Sequence, residues 1–206
     1  MTLRDSYLTI ARPTRSEIKI ERSRFIATVR PAESRAAAEE EYRALQREFH
    51  DANHNCYAYI IGIEAETQFR YSDDGEPSGT AGKPIYESVS TRDLTNVLVV
   101  VTRYFGGIKL GTGGLGRAYR EAANVALTEA GVLEKFIMQG FRLTFGHEQV
   151  SVVMKALAEY ELKPLETAYS DQVELLSAIR LGRYDDFSAT LLDRSHGRVT
   201  ITKIPG

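Results

Sequence analysis

Val97-Leu-Val-Val-Val-Thr-Arg103 runs directly into Tyr104-Phe-Gly-Gly-Ile-Lys-Leu-Gly-Thr-Gly-Gly-Leu-Gly-Arg-Ala-Tyr-Arg120. An unbroken β-branched and leucine run predicts a central strand over Val97 to Thr102. After the glycine-rich stretch, Leu115, Ala118, Tyr119, Ala122, Ala126 and Ala130 recur at helical spacing, and Gly131 is a natural stop. The stretch thus reads as strand, loop and helix. Six glycines lie between Arg103 and Arg120. Glycine weakens regular elements, so such density marks backbone that bends sharply or approaches something closely. Amides bared at a helix start favour anions. Arg103, Lys109, Arg117 and Arg120 add positive charge, with Thr112 as a candidate cap and Gly111, Gly113 and Gly114 as candidate anion-facing backbone. Tight helix-on-sheet packing is the other use of these glycines, and the sequence leaves both open.

Working outward, the segments before this stretch alternate between strand and helix. Glu17 to Ile20 and Phe25 to Val29 have the period of two expected of strands. Glu33 to Phe49 reads as a helix preceded by Pro31. Cys56 to Ile63 reads as a strand, with Thr67 to Tyr71 as its hairpin partner. Asp73 to Lys83 is a loop of Gly, Pro, Ser and acid, and Pro84 introduces a short helix over Ile85 to Leu94. Beyond Gly131 the order is a strand Phe136 to Phe145, a helix His147 to Tyr160, strands Pro164 to Tyr169 and Val173 to Ile179, a helix Tyr184 to Leu192, and a strand Arg198 to Lys203. That is β-α-β-β-α-β, the ferredoxin-like order. The expected division is a domain over 1–132 and a second over 133–206, in an α+β protein.

Composition limits the function. The chain has 206 residues, 26 Lys and Arg against 28 Asp and Glu, and a net charge of -2. Any nucleic-acid surface must therefore be a local patch. Residues 134–206 hold nine basic and ten acidic side chains, so neither half is basic overall. No run approaches a membrane span, and Met1 to Ile10 lacks the apolar block of a signal peptide. The single cysteine, Cys56, rules out an internal disulfide and fits a cytoplasmic setting.

Two generic nucleotide motifs fail on context. Gly111-Thr-Gly-Gly-Leu-Gly116 matches G-x-G-x-x-G, but about nine residues separate it from the end of the strand it should follow directly. Gly106 and Gly111 have the spacing of a phosphate loop, but Thr112 stands where the lysine belongs. No cofactor is implied. Asp73, Asp74 and Glu76 put three carboxylates within four residues, which a hard cation would accept, and which turns also use. An ion pair between this loop and Arg103 or Lys109 is the alternative. His54 and Cys56 share a strand face, but catalysis by a Cys–His pair needs contact and an orienting third group. Buried cysteine is the commoner outcome. Tyr104 and Phe105, entering the glycine loop, are the aromatic residues expected to be exposed for base stacking.

Ser23-Arg-Phe-Ile-Ala27, His54-Asn-Cys56, Asp73-Asp-Gly-Glu-Pro-Ser-Gly-Thr-Ala-Gly82 with Pro84, and the stretch Arg103 to Leu115 with Ala118-Tyr119 resemble the IMPACT family, in its bacterial two-domain YigZ type. The resemblance covers nearly the whole chain. It implies an N-terminal α/β sandwich of the kind seen in the second domain of ribosomal protein S-five, and a ferredoxin-like C-terminal domain, both resembling pieces of elongation factor G. Eukaryotic members act in translational control through an additional N-terminal interaction domain. This chain is expected to lack room for one before Ser23, so that partner is not carried over. The expected function is a non-enzymatic binding protein that contacts RNA or the ribosome. Arg103, Lys109, Arg117 and Arg120 would meet phosphates, with Tyr104 or Phe105 stacking. The rival is an enzyme with Asp73, Asp74 and Glu76 on a metal and His54 as acid or base. A protein-interaction module is the third reading. The sequence does not choose the partner or the oligomeric state.

Overall fold

The computed structural model describes residues 5–204. In chain order the elements begin with strands β1 (Ser6–Ile10), β2 (Thr14–Ile20) and β3 (Ser23–Pro31), helix α1 (Arg35–Glu48), and strands β4 (His54–Ile61) and β5 (Gln68–Ser72). There follow α2 (Gly82–Ser90), β6 (Val97–Tyr104), α3 (Gly111–Ala130) and β7 (Val132–Phe136). The remainder is β8 (Met138–Phe145), α4 (Val150–Glu159), β9 (Glu166–Tyr169), β10 (Val173–Arg180), α5 (Tyr184–Arg194) and β11 (Val199–Ile204). The chain is mixed α and β, and it separates into two compact units. One is Tyr7–Lys135; the other takes in Phe136 onward together with the segment up to Ser6.

In the first unit a five-stranded sheet has the order β2-β3-β6-β4-β5, with every neighbouring pair antiparallel. β6, with its apolar run Val97 to Val101, is the central strand, as its composition predicts, and is buried from Val97 to Arg103. A strand covered on both faces needs no alternation. On one face Phe25, Ala27, Cys56, Ala58, Val99 and Val101 pack against α2 and α3. On the other, Tyr57, Tyr59, Leu98 and Val100 pack with Ala38 and Leu45 of α1. Helix α3 lies close to the sheet because its inner face is Ala118, Ala122, Ala123, Ala126 and Ala130, each almost wholly buried. Among them Tyr119 projects to meet the Phe25 ring edge-on at 5.2 Å between centroids. Helix α1 is capped by Ser34, whose hydroxyl accepts from the Ala37 amide at 3.2 Å.

In the second unit an antiparallel sheet has the order β11-β8-β10-β9. Its inner face, with Phe141, Leu143, Leu175 and Ile179, packs with Val153 and Leu157 of α4 and Phe187 and Leu191 of α5. The expected single strand over Phe136 to Phe145 is instead broken at Ile137. The Ile137 amide donates to the Asp5 carbonyl at 2.8 Å rather than continuing a ladder. Val132–Phe136 pairs with β1 in a two-stranded sheet of its own. β1 was not expected, because Ser6–Ile10 is short and has only one clear partner strand. Among the described residues, no helix is long and apolar enough to cross a membrane.

Candidate functional site

The acidic loop forms as a tight turn. Asp74 and Gly75 both take positive φ, 43° and 85°, and the Glu76 amide donates to the Asp73 carbonyl at 2.9 Å. An Asp-Gly pair at the two central positions is what such a turn requires. The turn brings three carboxylates together in sequence and sends them apart in space. Asp73 accepts from the backbone amides of Gly79, Ala81 and Gly82 at 2.9, 2.9 and 2.8 Å. Two of these amides begin α2, which has no cap from its own Ala81. Asp73 therefore acts as a cap from a distance, and its charge complements the helix dipole. Asp74 accepts from the Asn55 amide at 2.6 Å. Glu76 turns inward.

Glu76 Oε1 accepts from Arg103 Nη1 at 2.6 Å and from the Tyr119 hydroxyl at 2.8 Å. This cluster ties the acidic loop, β6 and α3 together. Of the ion pairs to Arg103 or Lys109 offered as the alternative role of this loop, the structure contains the one to Arg103. Arg103 is only 5% exposed. Its Nη2 reaches Ser23 Oγ at the limit of 3.5 Å, its Nε has no hydrogen-bond partner, and it lies between the rings of Phe25 and Phe105. Arg103 is thus corrected from an RNA-facing cation to a buried structural one.

His54 donates from Nδ1 to the Asp74 carbonyl at 2.7 Å, since a carbonyl only accepts. Its Nε2 then faces Glu76 Oε1 at 3.9 Å. Cys56 is fully buried, and its thiol donates to the Asp73 carbonyl at 2.9 Å. Burial pushes the thiol well above its ordinary range, and burial raises the Tyr119 hydroxyl in the same way. The enzyme reading of His54, Asp73, Asp74 and Glu76 needs convergent donors. Among the described residues, no group of three or more His, Cys, Asp or Glu side chains is placed to hold a metal ion. The physical reason is that each of the three carboxylates is already taken by amides, guanidinium or hydroxyl.

The glycine-rich stretch divides into two parts. Gly106 is a packing glycine: an added Cβ would collide with the Arg22 carbonyl. Its amide donates to Ser23 Oγ at 3.1 Å. The later glycines open α3. Thr112 does not cap this helix, a correction to the expectation, because the helix already begins at Gly111 with Leu110 in the capping position. No side chain caps the first turn and no acidic residue lies in it. A Cβ placed on Gly113 would lie 3.6 Å from Arg117 Nη1, so the guanidinium lies over this turn.

The four predicted cations separate into two classes. Arg103 pairs with Glu76, and Arg120 pairs with Glu87. Lys109 and Arg117 are exposed and in no ion pair among the described residues. Both line a groove of about 570 Å³ with Leu110, Gly114, Glu21 and Glu121. Arg117 also lines a second groove of about 300 Å³, with Lys83, Gly113 and Gly116. Lys83 was missed from sequence, because it sat in a loop otherwise read as acidic.

The predicted stacking residues are less open than expected. The Tyr104 hydroxyl donates to Asp51 at 2.7 Å, which holds that carboxyl below its usual range, and Arg24 lies 5.3 Å over the ring. Phe105 is exposed, but Arg103 lies over its ring at 5.3 Å. The Phe105 amide is held by Asn53 Oδ1 at 2.8 Å.

The family model of the Impact N-terminal domain matches residues 21–127. IMPACT family member YvyE of Bacillus subtilis (strain 168) is 36% identical over 196 residues, spanning 95% of this chain and 90% of its own. IMPACT family member YigZ of Escherichia coli (strain K12) is 33% identical over 201 residues, spanning 97% and 98%. A solved crystal structure of a hypothetical protein superimposes with a TM-score of 0.72 at 33% identity, covering 98% of this chain and 99% of that one.

Proposed function

Since the chain belongs to the IMPACT family, we propose that it is a non-enzymatic, cytoplasmic binding protein that contacts RNA or an RNA-containing surface of the ribosome. The contact lies at the start of α3, and the protein acts on translation or its regulation. The observation that carries this reading is the pairing state of the cations. Lys109 and Arg117 face solvent beside an uncapped, acid-free helix start, while neighbouring Arg103 and Arg120 are neutralised by Glu76 and Glu87. Backbone amides at such a start and two free cations together suit a phosphate backbone.

The two units supply the scaffold. We assign 1–132 to an S-five second-domain-like sandwich and 133–206 to a ferredoxin-like domain. The second assignment is supported by the element order β8-α4-β9-β10-α5-β11 and the sheet order β11-β8-β10-β9. Of the predicted contact residues, Lys109, Gly111, Gly113, Gly114 and Arg117 are retained. Thr112 is exposed in the same turn and is retained as a neighbour.

Photo-crosslinking of bound RNA, followed by mapping of the linked peptides, tests the location. Crosslinks that include residues 104–120 are expected. Crosslinks confined to residues 136–204 would contradict the assignment.

A further inference from the structure

The largest exposed aromatic cluster of the first unit is not at the glycine loop. It is on the edge strand β5, where two exposed rings lie against the half-buried Tyr86 of α2. Phe69 and Tyr71 are 56% and 42% exposed, and both flank Tyr86, with ring centroids 4.8 and 5.7 Å from it. The sequence explains the placement. Phe69 and Tyr71 are two residues apart on a strand and so face one side, opposite Ile60 and Ala58 of β4. Arg70, between them, points to the other face, where it meets Glu39 at 3.5 Å. β5 is the last strand of its sheet, so nothing beyond it covers these rings.

A pair of large aromatic rings left in water needs a reason. Their own fold gives them only Tyr86 as a neighbouring ring. The cations of the same surface indicate what completes the patch. Lys83 precedes Tyr86 by three residues on α2, hence on the same side of that helix. Lys83 is exposed and in no ion pair among the described residues. It lines the same groove as Arg117, Gly113 and Gly116 at the start of α3. The carboxylate in that groove, Glu87, is occupied by Arg120. The rings around Tyr86 and the cations Lys83 and Arg117 are thus neighbours, the arrangement that single-stranded nucleic acids use: bases on aromatic faces, phosphates on cations. Duplex RNA would not use the rings, because its bases are already stacked.

We infer that Phe69, Tyr71 and Tyr86 form a base-stacking platform for single-stranded RNA, whose phosphates continue past Lys83 toward Arg117. The inference rests on the RNA reading above and moves its stacking surface from Tyr104 and Phe105 to β5 and α2. A peptide pairing with the free edge of β5 would be the competing occupant. The unpaired cations beside the rings favour the polyanion.

The test uses the intact chain and two fluorescently labelled probes: a 12-nucleotide oligouridylate and an abasic ribose-phosphate strand of equal length. Fluorescence anisotropy reads affinity. Phe69→Ala with Tyr71→Ala should weaken oligouridylate binding by about tenfold or more, leave the abasic strand unaffected, and leave the salt slope unchanged. Phe69→Tyr should retain binding, because the ring remains. Both positions are exposed, and circular dichroism confirms the fold. If the double variant binds oligouridylate as the unmodified protein does, the platform is refuted while the RNA reading stands. Equal weakening for both probes likewise refutes the platform, since the rings would then act without bases. Failure of the unmodified protein to bind either probe at low salt overturns the RNA reading and the platform with it.

Discussion

Arg103 donates from Nη1 to Glu76 Oε1 at 2.6 Å, and the two side chains are only 6% and 4% exposed. This one contact joins the central strand to the acidic turn, and Tyr119 adds α3 through the same oxygen. Removing one member of a buried pair leaves the other charge without compensation and costs about 3–5 kcal/mol. Glu76→Gln keeps the shape and an acceptor oxygen but removes the charge. It should lower unfolding free energy in urea by an amount in that range. Arg103→Met should do the same. The double variant should be much less destabilised than the sum of the two, because no orphaned charge remains. Strict additivity would mean that the pair is not coupled.

Asp73 makes a different kind of contribution. Its carboxylate takes three backbone amides, two of them at the start of α2. Asp73→Ala leaves those donors without their acceptor and should destabilise by about 2–4 kcal/mol, a few partly satisfied backbone groups' worth. Hydrogen exchange in residues 79–85 should rise before the rest of the unit. Asp73→Asn should destabilise as well, because its amide nitrogen would face a backbone donor. A variant with unchanged exchange and stability would show that the amides find water at no cost.

Cys56 and Tyr119 predict behaviour at high pH. Burial raises both above their reference values of 9.0 and 10.0. The folded state therefore holds protons that the unfolded chain releases. Stability is fully present below pH 9.0 and falls as pH rises past the unfolded values, by about 1.4 kcal/mol per pH unit for each group titrating. Midpoints of urea unfolding between pH 7 and 11 test this. Native Cys56 should resist thiol reagents at neutral pH and react only on unfolding. Fast labelling of the native chain would contradict the burial.

Much of the fold could be read from periodicity. The unbroken apolar run at Val97 became the central strand, and the alanine spacing after Leu115 became the buried face of α3. Asp74-Gly75, in the loop read from its Gly, Pro, Ser and acid, is a local signal with a local outcome. What escaped depends on distance along the chain. β1 is a short segment held by a partner more than 120 residues later. The end of α2 that Asp73 caps lies eight and nine residues beyond it. For the site, a count of basic residues cannot say which are already paired. Arg103 and Lys109 look alike in sequence, yet one is enclosed by Glu76, Phe25 and Phe105, and the other faces water. Exposure of Phe69 and Tyr71 was equally hidden, because alternation alone does not reveal that β5 is the sheet's edge.

The central claim is that Lys109 and Arg117 neutralise RNA phosphates. The most direct measurement is the affinity of single-stranded RNA as a function of salt for the unmodified protein and for Lys109→Ala with Arg117→Ala. Each phosphate neutralised contributes roughly -0.7 to the log–log slope for single strands. The double variant should bind more weakly across sequences and show a slope flatter by about one unit or slightly more. An unchanged slope and affinity in the double variant, with clear binding by the unmodified protein, would place the phosphate contacts elsewhere and contradict the account.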